Sequence, residues 1–387
     1  MDASSLEEHV VDASGAAAIP VRNVWLLMLW ASDLYRERAQ VLGGVEERPD
    51  DLIDLIAELL IDAVDARLRH GLGVSFRPFE AEIGRIRGRV DVMRTERHGL
   101  LARGRVACRF DDLTFDTPHN RYARAALEYA ALRVRSGRIG SRCRAAADLF
   151  RRAGVSAERP SDAMLDGARR ARIDDDERAM VDAARLLFDM KIPADFDGRH
   201  RLPQRVEDGV WLRQLWERAL FGFFHTCYGK LGWRVEHGLR QGWSVTSATA
   251  GFEKMLPGMQ LDVLLEKRSA GRRIVIDAKW NALLKPNQFG REKLRPSYIY
   301  QMYAYLRSQE SDADPLSHAV EGILLHPSVG VAFDESAVIQ GHRLRVIAVD
   351  LTQSAPDIGR RLASVVDILP IHTELPAATL SASTDIR

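Results

Sequence analysis

Cysteine is scarce: Cys108, Cys143 and Cys227 are the only three in 387 residues, and they form no CxxC pair. That spacing excludes a disulfide framework and a zinc knuckle and fits a reducing compartment. The histidines include no HxH or HxxxH pair. Neither GxGxxG nor GxxxxGK followed by Ser or Thr occurs, so the chain is expected to bind no nucleotide by itself. Long hydrophobic runs are absent as well. The most apolar stretch near the start, VWLLMLWA, is too short to cross a bilayer and follows a polar, acidic segment rather than a basic leader. A cytoplasmic protein without a membrane partner is the expectation. Neither charge sign is in excess: the formal net charge is +1, with 28% charged and 46% hydrophobic residues, an ordinary globular composition. Such neutrality excludes a strongly basic protein but leaves room for local phosphate-binding patches. The length allows two or more domains.

What is present is concentrated in residues 261–279, LDVLLEKRSAGRRIVIDAK. Two runs rich in aliphatic and β-branched residues flank Arg268-Ser269-Ala270-Gly271, which reads as the turn of a β-hairpin. Alternation puts Asp262, Leu264 and Glu266 on one face and Leu261, Val263 and Leu265 on the other. With Ser269 and Ala270 central to the turn, Asp262 falls directly opposite Asp277, their Cβ atoms roughly 4.5–5.5 Å apart, and Lys279 shares their face. A slip of one residue would turn one aspartate away. Two close carboxylates on an apolar hairpin repel each other unless water, a base or a cation compensates. Hard oxygen ligands favour Mg2+, or Mn2+ in its place, over zinc. A metal so held polarises a phosphate oxygen and activates water, while a lysine orients that water or stabilises developing charge. This is the minimal equipment of a metal-dependent phosphodiesterase. A lone D-x-K is more often a solvent-facing ion pair, and Asp262 in register is what favours the site.

Two helices bracket the hairpin. PSYIYQMYAYL places Gln301 and Tyr305 at i, i+4 on one helical face. Upstream, WLRQLWERALFGFFHTCYGKLGW reads as a long apolar helix carrying Glu217 among Leu215, Trp216, Leu220, Phe223 and Phe224. Either helix alone is an ordinary amphipathic one. In order, however, Glu217, Asp262, Asp277-x-Lys279 and Gln301-x-x-x-Tyr305 resemble the PD-(D/E)xK nuclease superfamily, in the branch with a RecB-like QxxxY helix.

The N-terminal half reads differently. Residues 1–17 are polar or small and expected to be flexible. Helical patterning follows in IPVRNVWLLMLWASDLYRE and from Asp51 to about His70, with Gly71 as a stop. Residues 72–115 change to short strands, Ile83 to Val92 and Leu101 to Phe110, rich in arginine. Arg85, Arg87 and Arg89 fall at period two, so a strand would aim all three one way, either as a solvated face or as a contact for phosphate or an acidic partner. Helices fill Asn120 to about Met190, and IPADFDGRHRLPQ reads as a linker. The expected organisation is an α+β N-terminal domain over 18–195, then an α/β PD-(D/E)xK domain over 205–375 with a central mixed sheet flanked by helices. Gly322 to His326 and Leu344 to Asp350 supply further strands, and 376–387 is a loose tail.

Four segments together, IPVRNVWLLMLWA, IRGRVDV, FDDLTFDTPHNRYARAAL and the C-terminal LD, DAK and YQMYAYL, resemble the McrC family, the nuclease subunit of McrBC-type modification-dependent restriction systems. They cover roughly residues 19 to 310. The resemblance implies a C-terminal domain that cuts double-stranded DNA and an N-terminal domain that docks on an McrB-like AAA+ GTPase ring and stimulates its GTP hydrolysis. The partner would translocate DNA and recognise 5-methylcytosine. It also implies Asp262, Asp277 and the Ala278 carbonyl as metal ligands, and Lys279 as the residue that positions water. Glu217 would ligate metal or orient its helix, and Gln301 and Tyr305 would support the site or contact DNA. Arg85, Arg87 and Arg89 are the candidates for partner contact. One departure is Leu261, where the family often has proline. Two alternatives remain open at this stage: a non-catalytic activator of an AAA+ partner, and a stand-alone RecB-like nuclease.

Overall fold

The computed structural model describes residues 9–11, 18–38, 52–169, 174–194, 210–243, 245–249, 251–280, 284–286 and 292–367. A short strand β1 (His9–Val11) pairs with β2 (Ala18–Pro20), so residues 9–11 of the segment expected to be flexible are strand-paired, and the remainder of 1–17 lies outside the described residues. Helix α1 (Val21–Ala31) is apolar nearly all round, which buries it on all sides: Val24, Leu26, Leu27, Leu29 and Trp30 are each at most 1% exposed. After α2 (Asp33–Arg38) and α3 (Leu52–His70) comes a small arm of β3 (Ser75–Ile83), β4 (Arg89–Val90), α4 (Val92–Arg97) and β5 (Val106–Thr114), with strand order β3-β5-β4. Four helices follow: α5 (Pro118–Arg133), α6 (Gly137–Arg152), α7 (Asp162–Arg169) and α8 (Asp175–Ala194). Thr117 caps α5 by accepting the Asn120 N–H, and Pro118 fits the first turn. The expected linker starts within α8, and its remainder, with the boundary at 195–205, lies outside the described residues.

The C-terminal half is built on a six-stranded mixed sheet. Helix α9 (Val210–Tyr228) leads into β6 (Arg234–Gln241), β7 (Met259–Lys267) and β8 (Arg272–Ala278). The short pair β9 (Leu284–Pro286) and β10 (Glu292–Leu294) precedes α10 (Pro296–Arg307), then β11 (Glu321–Ser328), β12 (Phe333–Ile339), β13 (His342–Asp350) and α11 (Ala355–Asp367). The strand order is β12-β13-β11-β8-β7-β6, with β11 parallel to β8 and β13 and every other pair antiparallel. One face packs Val263, Ile276, Ile323 and Ile347 against α9 and α11. The other packs Leu264, Val275, Leu324 and Val346 against Met302, Tyr305 and Leu306 of α10. The first cluster runs unbroken from Ile19 to Val366, so the N-terminal helices and the sheet share one core. Asn23, fully buried on α1, reinforces this by donating to the carbonyls of Leu351 (2.7 Å) and Gln353 (3.0 Å). Among the described residues no helix is long and apolar enough to cross a membrane.

Three expectations are corrected. Arg85, Arg87 and Arg89 do not form a stripe: β3 ends at Ile83, residues 84–88 bend, and only Arg89 and Val90 return to strand. Gly88 is the cause, because its φ is 65° and an added Cβ would lie 2.4 Å from the Arg109 carbonyl oxygen, a close approach that only glycine permits. The strand expected at Leu101 to Phe110 instead spans Val106–Thr114, since Leu101–Arg103 is a 3-10 turn closed by Gly104. Leu261 packs in the same cluster as Leu264 rather than with Val263 and Leu265; beside it the β6–β7 ladder keeps its register but skips the Gly238–Asp262 pair, where Gly238 has a φ of 65°. Strands β6 and β12 and helices α4 and α11 were not foreseen.

Candidate active site

The hairpin β7–β8 has the register expected from its turn. Val263 pairs with Ile276 and Lys267 with Arg272, around the loop Arg268–Gly271. The ladder ends one pair short of Asp262 and Asp277. In place of a backbone bond, Asp262 Oδ2 accepts the Ala278 N–H at 2.8 Å. Because the Lys279 N–H points the other way, to the Leu325 carbonyl (2.9 Å) on β11, the Ala278 backbone faces the Asp262 edge. Asp277 is buried between β7 and β11 at 2% exposure. The Lys279 ammonium lies 2.7 Å from Asp277 Oδ2 and, among the described residues, is the cation paired with that buried carboxylate.

From Lys279 the polar chain continues across the sheet face to α10. The ammonium donates to Gln301 Oε1 (3.0 Å), and Gln301 Nε2 donates to the Tyr305 hydroxyl (2.5 Å). The helical i, i+4 spacing makes this possible, since both side chains leave one face of α10 toward the sheet. On the opposite side, Trp216 of α9 donates its indole N–H to the Leu325 carbonyl (3.3 Å), the same oxygen that takes the Lys279 N–H. That bond pins α9 beside the hairpin and places Glu217 within electrostatic reach of Asp277 and Asp262. Thus Asp262, Asp277, Ala278, Lys279, Gln301 and Tyr305 come together, with Glu217 at the margin.

Arg85, Arg87 and Arg89 stay on the arm, where Arg87 pairs with Asp112 (2.7 Å) over the Phe110 ring. Two participants escaped sequence reasoning. Tyr298 places its ring 4.9 Å from the Lys279 ammonium, and His326 Nδ1 lies 3.0 Å from the Lys279 carbonyl oxygen. Tyr298 precedes Gln301 by three residues, a helical spacing that could have flagged it. His326 carried no signal beyond its place at a strand end.

The electrostatics are those of a crowded acidic site. Burial pushes the Asp262 carboxyl from an ordinary 3.8 up to about 7, the Asp277 charge adds to the rise, and the Ala278 N–H opposes it. Burial also raises Asp277, against the pull of Lys279. Glu217 is raised by burial and by Asp277, against Arg213. Below pH about 3.8 Asp262 holds its proton in both the folded and the unfolded chain; between there and about 7 only the folded chain keeps it. Stability of the metal-free protein therefore falls as pH rises through that window, and the full penalty stands above it. Asp262→Asn is expected to flatten this slope and to stabilise metal-free protein by about 1–3 kcal/mol at neutral pH. Urea unfolding in chelator at about pH 5 and about pH 8 measures it.

These features fit a hard divalent cation. Two adjacent carboxylates, one of them buried with a single ammonium as its counter-ion, are destabilised by their mutual charge and relieved by a cation. Among the described residues no group of three or more His, Cys, Asp or Glu side chains is placed to hold a metal, so an ion here would rest on the Asp262 and Asp277 pair with backbone oxygen. Mg2+ commonly takes only one or two carboxylates and completes its shell with other oxygens.

A family model described as the McrBC 5-methylcytosine restriction system component matches residues 7–318. The Type IV methyl-directed restriction enzyme EcoKMcrBC of Escherichia coli (strain K12) is 24% identical over 355 residues, 90% of this chain and 97% of that one. A solved half-complex of Thermococcus gammatolerans McrB AAA+ hexamers with bound McrC overlaps with TM-score 0.43 at 14% identity, covering 90% of this chain and 76% of that chain. A second solved structure, the Thermococcus gammatolerans McrBC complex, gives TM-score 0.33 at 16% identity over 51% of this chain and 59% of that chain. Overlaps this loose carry no structural argument.

Proposed function

The chain belongs to the McrBC 5-methylcytosine restriction system component family, and from that premise we propose that it is the metal-dependent DNA-cutting subunit of such a system, with a PD-(D/E)xK site at the open end of the β7–β8 hairpin. The observation that carries this reading is the convergence of Asp262, Asp277 and Lys279, backed by Gln301 and Tyr305. Asp262, Asp277 and the Ala278 carbonyl would hold Mg2+ or Mn2+. Bound there, the ion supplies Lewis-acid activation of phosphate and water. Asp277 and Gln301 hold the Lys279 ammonium in place. From there it orients the attacking water or offsets charge on the phosphate. Burial keeps the field of these groups strong. Glu217 orients α9 at the edge of the site.

The substrate is double-stranded DNA, and the partner is an McrB-like AAA+ GTPase ring that recognises 5-methylcytosine and whose GTP hydrolysis this chain stimulates. The arm of residues 75–114 supports docking: Phe76, Phe79, Ile86, Met93, Leu101 and Leu113 are all exposed, more apolar surface than a small sheet leaves to water without a partner. Arg85 and Arg89 are its cationic contact candidates, with Arg87 already engaged by Asp112.

The test is cleavage of methylated DNA by the assembled complex with Mg2+. Asp277→Ala is expected to abolish cutting while GTP hydrolysis by the partner stays stimulated; cutting at the parent rate rejects the site. Gln301→Ala is expected to slow single-turnover cleavage by about tenfold, a smaller loss than removing Lys279, because Asp277 still holds the ammonium. Tyr305→Phe, which removes only the outermost hydroxyl, should slow it less.

A further inference from the structure

Arg295 stands at the N-terminal end of α10, half-buried, its guanidinium carbon 5.9 Å from the centre of the Tyr298 ring. The Lys279 ammonium lies 4.9 Å from the centre of the same ring, so one aromatic side chain holds both cations at the candidate site. The Arg295 Nε is buried without a hydrogen-bond partner. Among the described residues no carboxylate lies within ion-pair distance of its guanidinium. Other shielded arginines in the sheet half are matched: Arg273 by Glu266 and Asp314, Arg345 by Asp334 and Glu321. The terminal nitrogens of this half-buried guanidinium are therefore left without a protein anion, and their planar fork suits a phosphate, which accepts two parallel hydrogen bonds.

We propose that Arg295 is a phosphate-binding residue for the DNA strand, gripping a backbone phosphate beside the one addressed by Lys279, with Tyr298 fixing the plane of the guanidinium. This deepens the nuclease reading and rests on it. The strand passes the N-terminal end of α10 beside the open end of the hairpin, and the Arg295 fork takes a non-bridging oxygen pair while Lys279 remains on Asp277 and Gln301. The contact is to the backbone, so it carries no base preference.

The experiment uses the full chain on its partner ring in an Asp277→Ala background, so that no strand is cut, with a fluorescent methylated duplex oligonucleotide titrated at several salt concentrations. Arg295→Gln is expected to weaken binding roughly tenfold and to lower the slope of log affinity against log salt by about one, the signature of one lost phosphate contact. Arg295→Lys, which keeps the charge but not the fork, retains the slope and recovers part of the affinity. Weaker binding of Arg295→Gln with an unchanged slope marks a merely structural role and overturns the proposal, as does unchanged affinity. Loss of slope in both variants, with a lowered melting temperature, overturns it as well. Failure of the underlying nuclease reading shows separately, as cutting by Asp277→Ala itself.

Discussion

Lys279→Ala is expected to reduce DNA cleavage by the assembled complex by about two to four orders of magnitude, at unchanged partner GTP hydrolysis and with the chain still folded at the assay temperature. The size of the effect follows from position. The ammonium is held by Asp277 at 2.7 Å and Gln301 at 3.0 Å, against the face of Tyr298, and in the proposed site it is the cation that would meet the phosphate or water. Fixed charge in a shielded site acts without the reorganisation that solvent would need, so its removal falls on the rate rather than on binding. Stability falls as well, because the Asp277 carboxylate is left buried without its counter-ion, but the fold persists because the pair lies at the end of the strand, beyond the hydrophobic ladder. Lys279→Arg is no substitute: the longer planar fork cannot occupy the place of a compact ammonium between Asp277 and Gln301. Single-turnover cleavage at saturating complex, beside a melt, separates rate from fold. A variant cutting within a factor of about three of the parent would remove Lys279 from the chemistry.

Gly222→Ala is expected to have the largest effect on the fold, a loss of about 3 kcal/mol or more. Helices α1 and α9 touch backbone to backbone at this residue: a Cβ on Gly222 would lie 1.8 Å from the Trp30 carbonyl oxygen. No side-chain rotation relieves that overlap. The helices must separate, and with them the edge-to-face packing of Trp30 and Phe223, whose rings are 5.0 Å apart. Separation also reaches the site, since α9 carries Trp216, whose indole bonds the carbonyl that positions Lys279. Gly229→Ala, on the turn just after the same helix, is the control, because an added methyl there meets nothing within 4 Å. Urea unfolding of the two variants checks the contrast. Equal stabilities would mean that α1 and α9 do not meet as described.

Much of the candidate site was legible because it is local. A four-residue turn and alternating aliphatic strands fix the hairpin register, and the register alone sets Asp262 opposite Asp277; the structure has that register. Gln301 and Tyr305 were legible through helical spacing for the same reason. The mixed sheet with helices on both faces was also readable, in outline, from the order of apolar segments. What the sequence concealed depends on distant contacts. Nothing near Gly88 announces that Arg109 passes close behind it, so the three arginines read as one strand face when they are not. Leu261 read as facing away from Leu264 by simple alternation, and the skipped pair at Gly238 beside it is a property of β6, which was itself unforeseen. Helix α11 has no counterpart in the sequence reading, although its apolar residues Ile358, Leu362, Val365 and Val366 have helical spacing. The shared core of the two halves joins residues as far apart as Ile19 and Val366, and the Asn23 bond to Leu351 that reinforces it spans 328 residues, which no local pattern encodes.

The most direct measurement is Mn2+ binding to the full chain, followed by electron paramagnetic resonance, in the parent and in Asp277→Asn. Coordination by the two hairpin carboxylates predicts a bound ion in the parent that is lost or weakened at least about tenfold in the variant, with the melting temperature of the metal-free protein preserved or raised. Equal Mn2+ binding by both proteins, or none by the parent, contradicts it.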